Sequence, residues 1–259
     1  MPDIQTRREG AIGIVTLSNP GKHNAMTLGM WQALPAAIRA MDEDPAVRVV
    51  VLQGDGERAF VSGSDISQFG EQRTGAEASR IYNEAVEQGH LAAGRCGKPV
   101  VARIRGYCIG GGVGLAASCD VRLCSDDARF RIPAARIGIG YPTAGVARLL
   151  PLLGPQRTLD ILFSARTFGA QEALAMGLVA QVFPAQEFQA GSDAWLASVA
   201  ENAPLTLRAA KLAVNRLAQR PAGEDPEVEQ AIAACFASAD YREGTRAFAE
   251  KRAPAFTGA

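Results

Sequence analysis

The segment Gly106–Asp120, GYCIGGGVGLAASCD, constrains this chain more than any other: three consecutive glycines follow a β-branched run and open a stretch of helix-forming residues. Glycine adopts backbone dihedrals closed to other residues and lets a ligand approach the main chain closely. The start of a helix adds unpaired N–H groups and the positive end of the helix dipole. Because the preceding run Lys98–Ile104, KPVVARI, reads as a strand, the glycines predict a strand-to-helix turn with outward-facing N–H groups. A second segment, Phe60–Ile66 or FVSGSDI, follows a strand and a turn and is poised to do the same. Should the N–H of Ser64 and that of Gly111 converge, they would hold an oxygen on which negative charge develops. Such preorganised donors are worth about 3 kcal/mol each in rate terms. Taken singly, FVSGSDI also reads as an ordinary turn, and the glycine run as a phosphate-binding or packing loop.

The rest of the chain supplies a scaffold for these segments. Residues 11–17 (AIGIVTL) and 47–52 (VRVVVL) are short β-branched runs. Between them residues 27–41 carry helical apolar spacing through Leu28, Trp31, Leu34, Ile38 and Met41, and Val121–Cys124 returns as a strand. This alternation predicts an α/β fold with mostly parallel pairing. Residues 67–80 are polar and weakly patterned, which reads as a loop flanking a site. From about residue 186 strands give way to helices, including 205–218 and 227–239, separated by a turn through Pro221, Gly223, Asp225 and Pro226.

Composition narrows the classes of partner. Lysine plus arginine and aspartate plus glutamate are equal at 27 each, so no net field draws the chain to nucleic acid or an anionic membrane. The N-terminal MPDIQTRREG lacks an apolar core, and no apolar run reaches the roughly 18 residues that a spanning helix requires, so a soluble cytoplasmic protein is expected. The five cysteines form no CxxC pair, which argues against a disulfide framework and against a zinc site. Buried, reduced thiols are expected. The two histidines, His23 and His90, lie near no suitable serine or cysteine in motif terms, and His90 on its predicted helix reads as a surface or cap residue.

The two glycine-bearing segments occur together with further ordered landmarks, and the chain resembles the crotonase (enoyl-CoA hydratase/isomerase) superfamily along nearly its whole length. NPGKHNAM is similar to the family's early CoA-contacting turn, FVSGSDI to its first oxyanion segment and KPVVARIRGYCIGGGVGLAASCD to its second. FRIPAARIGIGYPTAGVARLLPLLG resembles the stretch lining the acyl pocket, and DYREGTRAFAEKRAPAF the closing helix and tail. The resemblance implies an α/β spiral core of repeated ββα turns over residues 1–195 with the CoA site, and a helical oligomerisation region over 196–259. It also implies a homotrimer or dimer of trimers acting on an acyl-CoA, with coenzyme A as part of the substrate and no permanently bound cofactor. The family's oxyanion donors fall on Ser64 and Gly111. Its substrate contacts fall on Lys22, His23, Ala25, Ser62, Asp65, Ile66 and Gly110, with Gly114 and Ala134 in the acyl pocket; Phe248 and Lys251 near the tail would reach CoA from a neighbouring subunit. Asp120 reads as structural.

The pattern breaks where hydratases carry two glutamates that orient and activate water: here those positions are Gly114 and Ala134. Neither can move a proton, and general acid–base catalysis contributes roughly 10² to 10⁴ in rate. The aspartate that dienoyl isomerases use is replaced by Pro142. What remains is Tyr141 in GIGYP, an arrangement resembling methylmalonyl-CoA decarboxylase, although that relative carries a histidine where this chain has Ser64. Arg131 and Arg136 flank the segment and offer cations for a substrate carboxylate. Three readings result: an enolate-stabilising acyl-CoA enzyme that hydrates poorly, a decarboxylase of a malonyl-type CoA ester using Tyr141, or a non-catalytic acyl-CoA-binding paralogue. A carboxylate from elsewhere, such as Glu71 or Glu84, is a further candidate base. The small residues at Gly114 and Ala134 suggest extra room for a bulky acyl group.

Overall fold

The computed structural model describes residues 1–65, 76–219 and 226–259. Ile66, Glu71 and the turn through Pro221 and Asp225 lie outside the described residues, as does the side chain of Phe248. Of the expected loop at 67–80, residues 76–80 instead begin a helix, because Tyr82, Gly89, Ala93 and Cys96 put a buried stripe along one side of the segment that follows.

The chain opens with an antiparallel pair, β1 (Asp3–Glu9) and β2 (Ile12–Ser18), then α1 (Leu28–Glu43). Thr27 caps α1 by accepting the N–H of Met30 at 3.2 Å, and Met30, Trp31, Leu34 and Ile38 bury its inner face. Three strand pairs follow: β3 (Val49–Gly54) with β4 (Ala59–Val61), β5 (Val100–Ile104) with β6 (Tyr107–Ile109), and β7 (Val121–Ser125) with β8 (Arg129–Arg131). Helix α2 (Ala76–Arg95) separates the first two pairs, and α3 (Gly111–Ser118) the second two. After α4 (Thr143–Ser164) come β9 (Phe168–Gly169), α5 (Ala170–Met176), β10 (Gln181–Phe183) and α6 (Phe188–Ala200). Helices α7 (Pro204–Gln219), α8 (Pro226–Ala237) and α9 (Ala239–Glu250) close the chain.

Each strand pair gives one strand to each of two sheets. The larger sheet has the order β1-β2-β3-β5-β7-β10 and the smaller β4-β6-β8-β9. From β2 to β10 the larger sheet is parallel, and β4, β6 and β8 run parallel in the smaller one. The path is therefore a spiral of ββα turns, in agreement with the α/β expectation. Val49, Val50, Val51 and Leu52 are all fully buried, as a continuous apolar run in a two-sided parallel sheet should be.

Candidate active site

Parallel pairing decides where the two glycine-bearing segments go. Ala59 pairs with Tyr107 and Val61 with Cys108, while Ile109 pairs with Arg131. The residues that follow β4, β6 and β8 therefore leave the small sheet at the same, carboxyl end. These are Ser62–Asp65, Gly110–Gly114, and the 3-10 turn Ala134–Arg136. The sheet brings together three stretches that are far apart in the chain.

Around the first, the early turn is clamped in place. Met26 and Ser64 form a parallel bridge in which Met26 N–H donates to the Gly63 carbonyl and Asp65 N–H to the Met26 carbonyl. A parallel bridge of this kind uses the neighbours of Ser64 and leaves its own N–H facing away; that N–H takes no acceptor among the described residues. Ser62 donates its N–H to the His23 carbonyl and its hydroxyl to the Lys22 carbonyl, both at 3.1 Å. Lys22 Nζ reaches the buried Asp65 carboxylate at 2.9 Å. His23 and Asn24 adopt left-handed backbone (φ 49° and 56°), and the Asn24 amide bonds the carbonyls of Asp55 and Ala59. Ala25 is buried, its N–H bonded to the Lys22 carbonyl. Lys22, His23, Ala25, Ser62, Ser64 and Asp65 thus form one cluster.

In the second stretch Gly110 caps α3 at φ 55°, open to glycine, with its N–H held by the Arg131 carbonyl at 2.8 Å. Gly112 faces the backbone of β4: a Cβ there would lie 2.4 Å from the Val61 oxygen, so a side chain is excluded. The Gly111 N–H, first of the helix, has no acceptor among the described residues. At the other end of α3, buried Arg122 donates to the carbonyls of Ala116 and Cys119. The helix therefore turns the positive end of its dipole toward the site, and Arg122 complements the negative end. Asp120 accepts the Val100 N–H at 2.7 Å and pairs with Lys211 at 2.8 Å, which fits its structural reading.

In the third stretch Ala134 is buried at the start of the 3-10 turn, and Tyr141 packs its ring against Gly145 in the first turn of α4. Burial pushes the Tyr141 phenol up to about 12, so it is protonated at neutral pH. Arg131 is committed to the Ala165 carbonyl at 2.8 Å and Arg136 is exposed. Glu84 pairs with Arg80 on the exposed side of α2.

His90 differs from the sequence expectation. It is 6% exposed, stands edge-on to Trp31 with ring centroids 5.1 Å apart, and lies 3.3 Å through Nε2 from the Gly111 carbonyl oxygen. A Cβ at Gly114 would meet its Cε1 at 2.9 Å. The space beyond Gly114 is therefore filled by imidazole, and the extra room expected there is absent. Arg148 of α4 approaches Nδ1 at 3.5 Å and is itself paired with Glu87, one turn before His90. Reading residues 81–95 as an amphipathic helix, with Tyr82, Val86, Gly89, His90 and Ala93 on one face, would have placed His90 inward.

Burial, reinforced by the Arg148 charge, pushes His90 down to about 3. Below about pH 6.5 the unfolded chain takes up a proton that the folded one refuses until about pH 3, so stability present at neutral pH is lost as pH falls through that window. The expected slope is roughly 1.4 kcal/mol per pH unit. Urea unfolding at pH 7 and pH 5 should therefore show wild type losing about 2 kcal/mol more than His90→Gln. Equal losses would contradict the burial of a neutral ring.

Repeated ββα turns, with N–H groups at one strand end that are unpaired among the described residues, define the class: a spiral-fold protein with a site lined by backbone. The chain belongs to the enoyl-CoA hydratase/isomerase family of the crotonase superfamily, whose description matches residues 7–259. It is 32% identical to a short-chain-enoyl-CoA hydratase of Clostridium acetobutylicum, covering 96% of this chain and 95% of that one. Against a crotonyl-CoA hydratase of Syntrophomonas wolfei it is 30% identical, covering 96% of both. A solved enoyl-CoA hydratase/carnithine racemase from Magnetospirillum magneticum superposes with a TM-score of 0.96 at 35% identity, covering 100% of this chain and 97% of that one. The family acts on acyl-CoA thioesters. Among the described residues no helix is long and apolar enough to cross a membrane.

Proposed function

We propose that the protein binds an acyl-CoA thioester, holds the thioester oxygen between the N–H groups of Ser64 and Gly111, and stabilises the enolate that forms. The observation that carries this reading is a pair of N–H groups that have no acceptor among the described residues, on segments leaving adjacent parallel strands at the same end. In this reading the Lys22–Asp65 cluster contacts the CoA portion, Ile66 is a further CoA contact, and the working unit is a homotrimer or dimer of trimers.

Hydration is a poor fit. With Gly114 and Ala134 in place of glutamates, no side chain at either position can activate water, and His90 fills the space one of them would use. Decarboxylation of a malonyl-type CoA ester asks less of the site. The bond from Cα to the carboxylate breaks, its electron pair passes to the thioester oxygen, carbon dioxide leaves, and a proton then returns to Cα. Tyr141, protonated at neutral pH, is the side chain we assign to that proton.

Incubation with crotonyl-CoA and with methylmalonyl-CoA, followed by mass spectrometry, tests this. Loss of carbon dioxide from the second is expected to outpace hydration of the first, and Tyr141→Phe to slow it roughly 10- to 100-fold. Rapid hydration of crotonyl-CoA would refute the argument from Gly114 and Ala134. Tight ester binding without turnover, unaltered in Tyr141→Phe, would instead mark a non-catalytic binding protein.

A further inference from the structure

Resting on the enolate reading, we infer that His90 is a positioning residue for the second oxyanion donor: its Nε2–H holds the Gly111 carbonyl, and its ring occupies the space beyond Gly114.

The tautomer follows from the partners. An arginine only donates, so Nδ1, facing Arg148 at 3.5 Å, is the acceptor and the ring proton sits on Nε2, which then donates to Gly111 O at 3.3 Å. The other neighbours fix the ring. Trp31 of α1 meets it edge-on, and Glu87 of α2 pairs with Arg148 and so restrains that guanidinium. The result is a relay of contacts from Glu87 through Arg148 and His90 to Gly111.

The glycine run needs such a hold. Gly110, Gly111 and Gly112 have no side chains to anchor them, and glycine has the largest backbone freedom of any residue. An oxyanion donor works only when its direction is set before charge develops. The peptide that carries the Gly111 N–H is held at its own oxygen, Gly110 O, by the N–H groups of Val113 and Gly114 at 3.0 and 3.2 Å, and β4 crowds Gly112. The peptide between them, Gly111–Gly112, is held at its oxygen by His90, which fixes the chain on the far side of the Gly111 Cα and so the direction in which the donor enters the helix. Among the described residues the one side chain bonded to Gly111 is that of His90. At 6% exposure the imidazole is enclosed by protein, which makes it a support for the donor.

The test uses 4-(dimethylamino)cinnamoyl-CoA, whose absorbance moves to the red when its carbonyl is polarised, with His90→Gln, His90→Asn and His90→Leu. The glutamine amide nitrogen reaches about as far as Nε2; the asparagine amide falls short. Wild type and His90→Gln are expected to show the red shift. His90→Asn and His90→Leu should bind the ester within about threefold of wild type yet lose the shift, with kcat lower by roughly 10- to 100-fold at similar KM. A full shift in folded His90→Leu or His90→Asn overturns the proposal. Should those variants fail to fold, side-chain nitrogen NMR of wild type decides, since there are two histidines to distinguish. A His90 ring protonated on Nε2 alone supports the inference; protonation on Nδ1 overturns it. A correct tautomer with no red shift in wild type means that the enolate reading itself has failed and that His90 is structural only.

Discussion

Replacing Gly111 with proline should lower turnover of the best acyl-CoA substrate roughly 10² to 10³-fold relative to Gly111→Ala, with ester affinity changing little. Gly111 is the first residue of α3, where the N–H has no helical partner and proline is well tolerated. Alanine supplies the control, because it brings the same Cβ to within about 3.3 Å of Trp31 Cζ2 but keeps the N–H. The difference between the two variants therefore isolates one donor from the packing change. Steady-state kinetics with ester binding measured by calorimetry separate the terms. Equal activity in the two variants would remove Gly111 from the site.

Restoring a glutamate at position 114 should damage the fold before it adds any chemistry. The first side-chain atom would lie 2.9 Å from His90 Cε1 and 3.2 Å from Nε2 in a region with no space to spare. Overpacking of this kind costs roughly 1 to 3 kcal/mol, and setting a carboxylate there without water adds to it. Gly114→Glu is thus expected to be less stable than wild type by at least about 2 kcal/mol in urea. Combining it with His90→Ala, which vacates the space, should show coupling of at least about 1 kcal/mol in a double-mutant cycle. Additivity of the two changes, or a fully stable Gly114→Glu that hydrates crotonyl-CoA, would contradict the occupancy of that space by His90.

Much of this architecture is readable from the residues. Continuous apolar runs such as Val49–Leu52, and the helical spacing of Trp31, Leu34 and Ile38, identify β3 and α1 because one physical pattern dominates each segment. Short strands are harder. Ala59–Val61, Tyr107–Ile109 and Arg129–Arg131 have three residues each, too few to display a period, and their parallel pairing is a tertiary fact. Yet these strands put Ser64 and Gly111 at one end of a sheet. The glycines were legible as a turn because Gly110 requires φ 55°; the role of Gly114 was not, since its neighbour His90 lies on another helix. The absence of a side chain at one position is explained by the presence of one elsewhere, and a single sequence shows only the first.

The spiral also determines which changes of chain length this site could survive. Each turn contributes its rung to both sheets, so the links between rungs behave as slack beyond the site residues with which they begin: a residue gained or lost past Asp65 or past Ser118 alters a surface bend and leaves both N–H groups where they are. Within β6 the same event would displace the helix entrance by one strand step, about 3.3 Å. A donor moved by that distance no longer meets the same acceptor, so the carbonyl-binding geometry would be lost while the sheets stayed paired. Variation in length should accordingly gather between rungs and spare the three short strands.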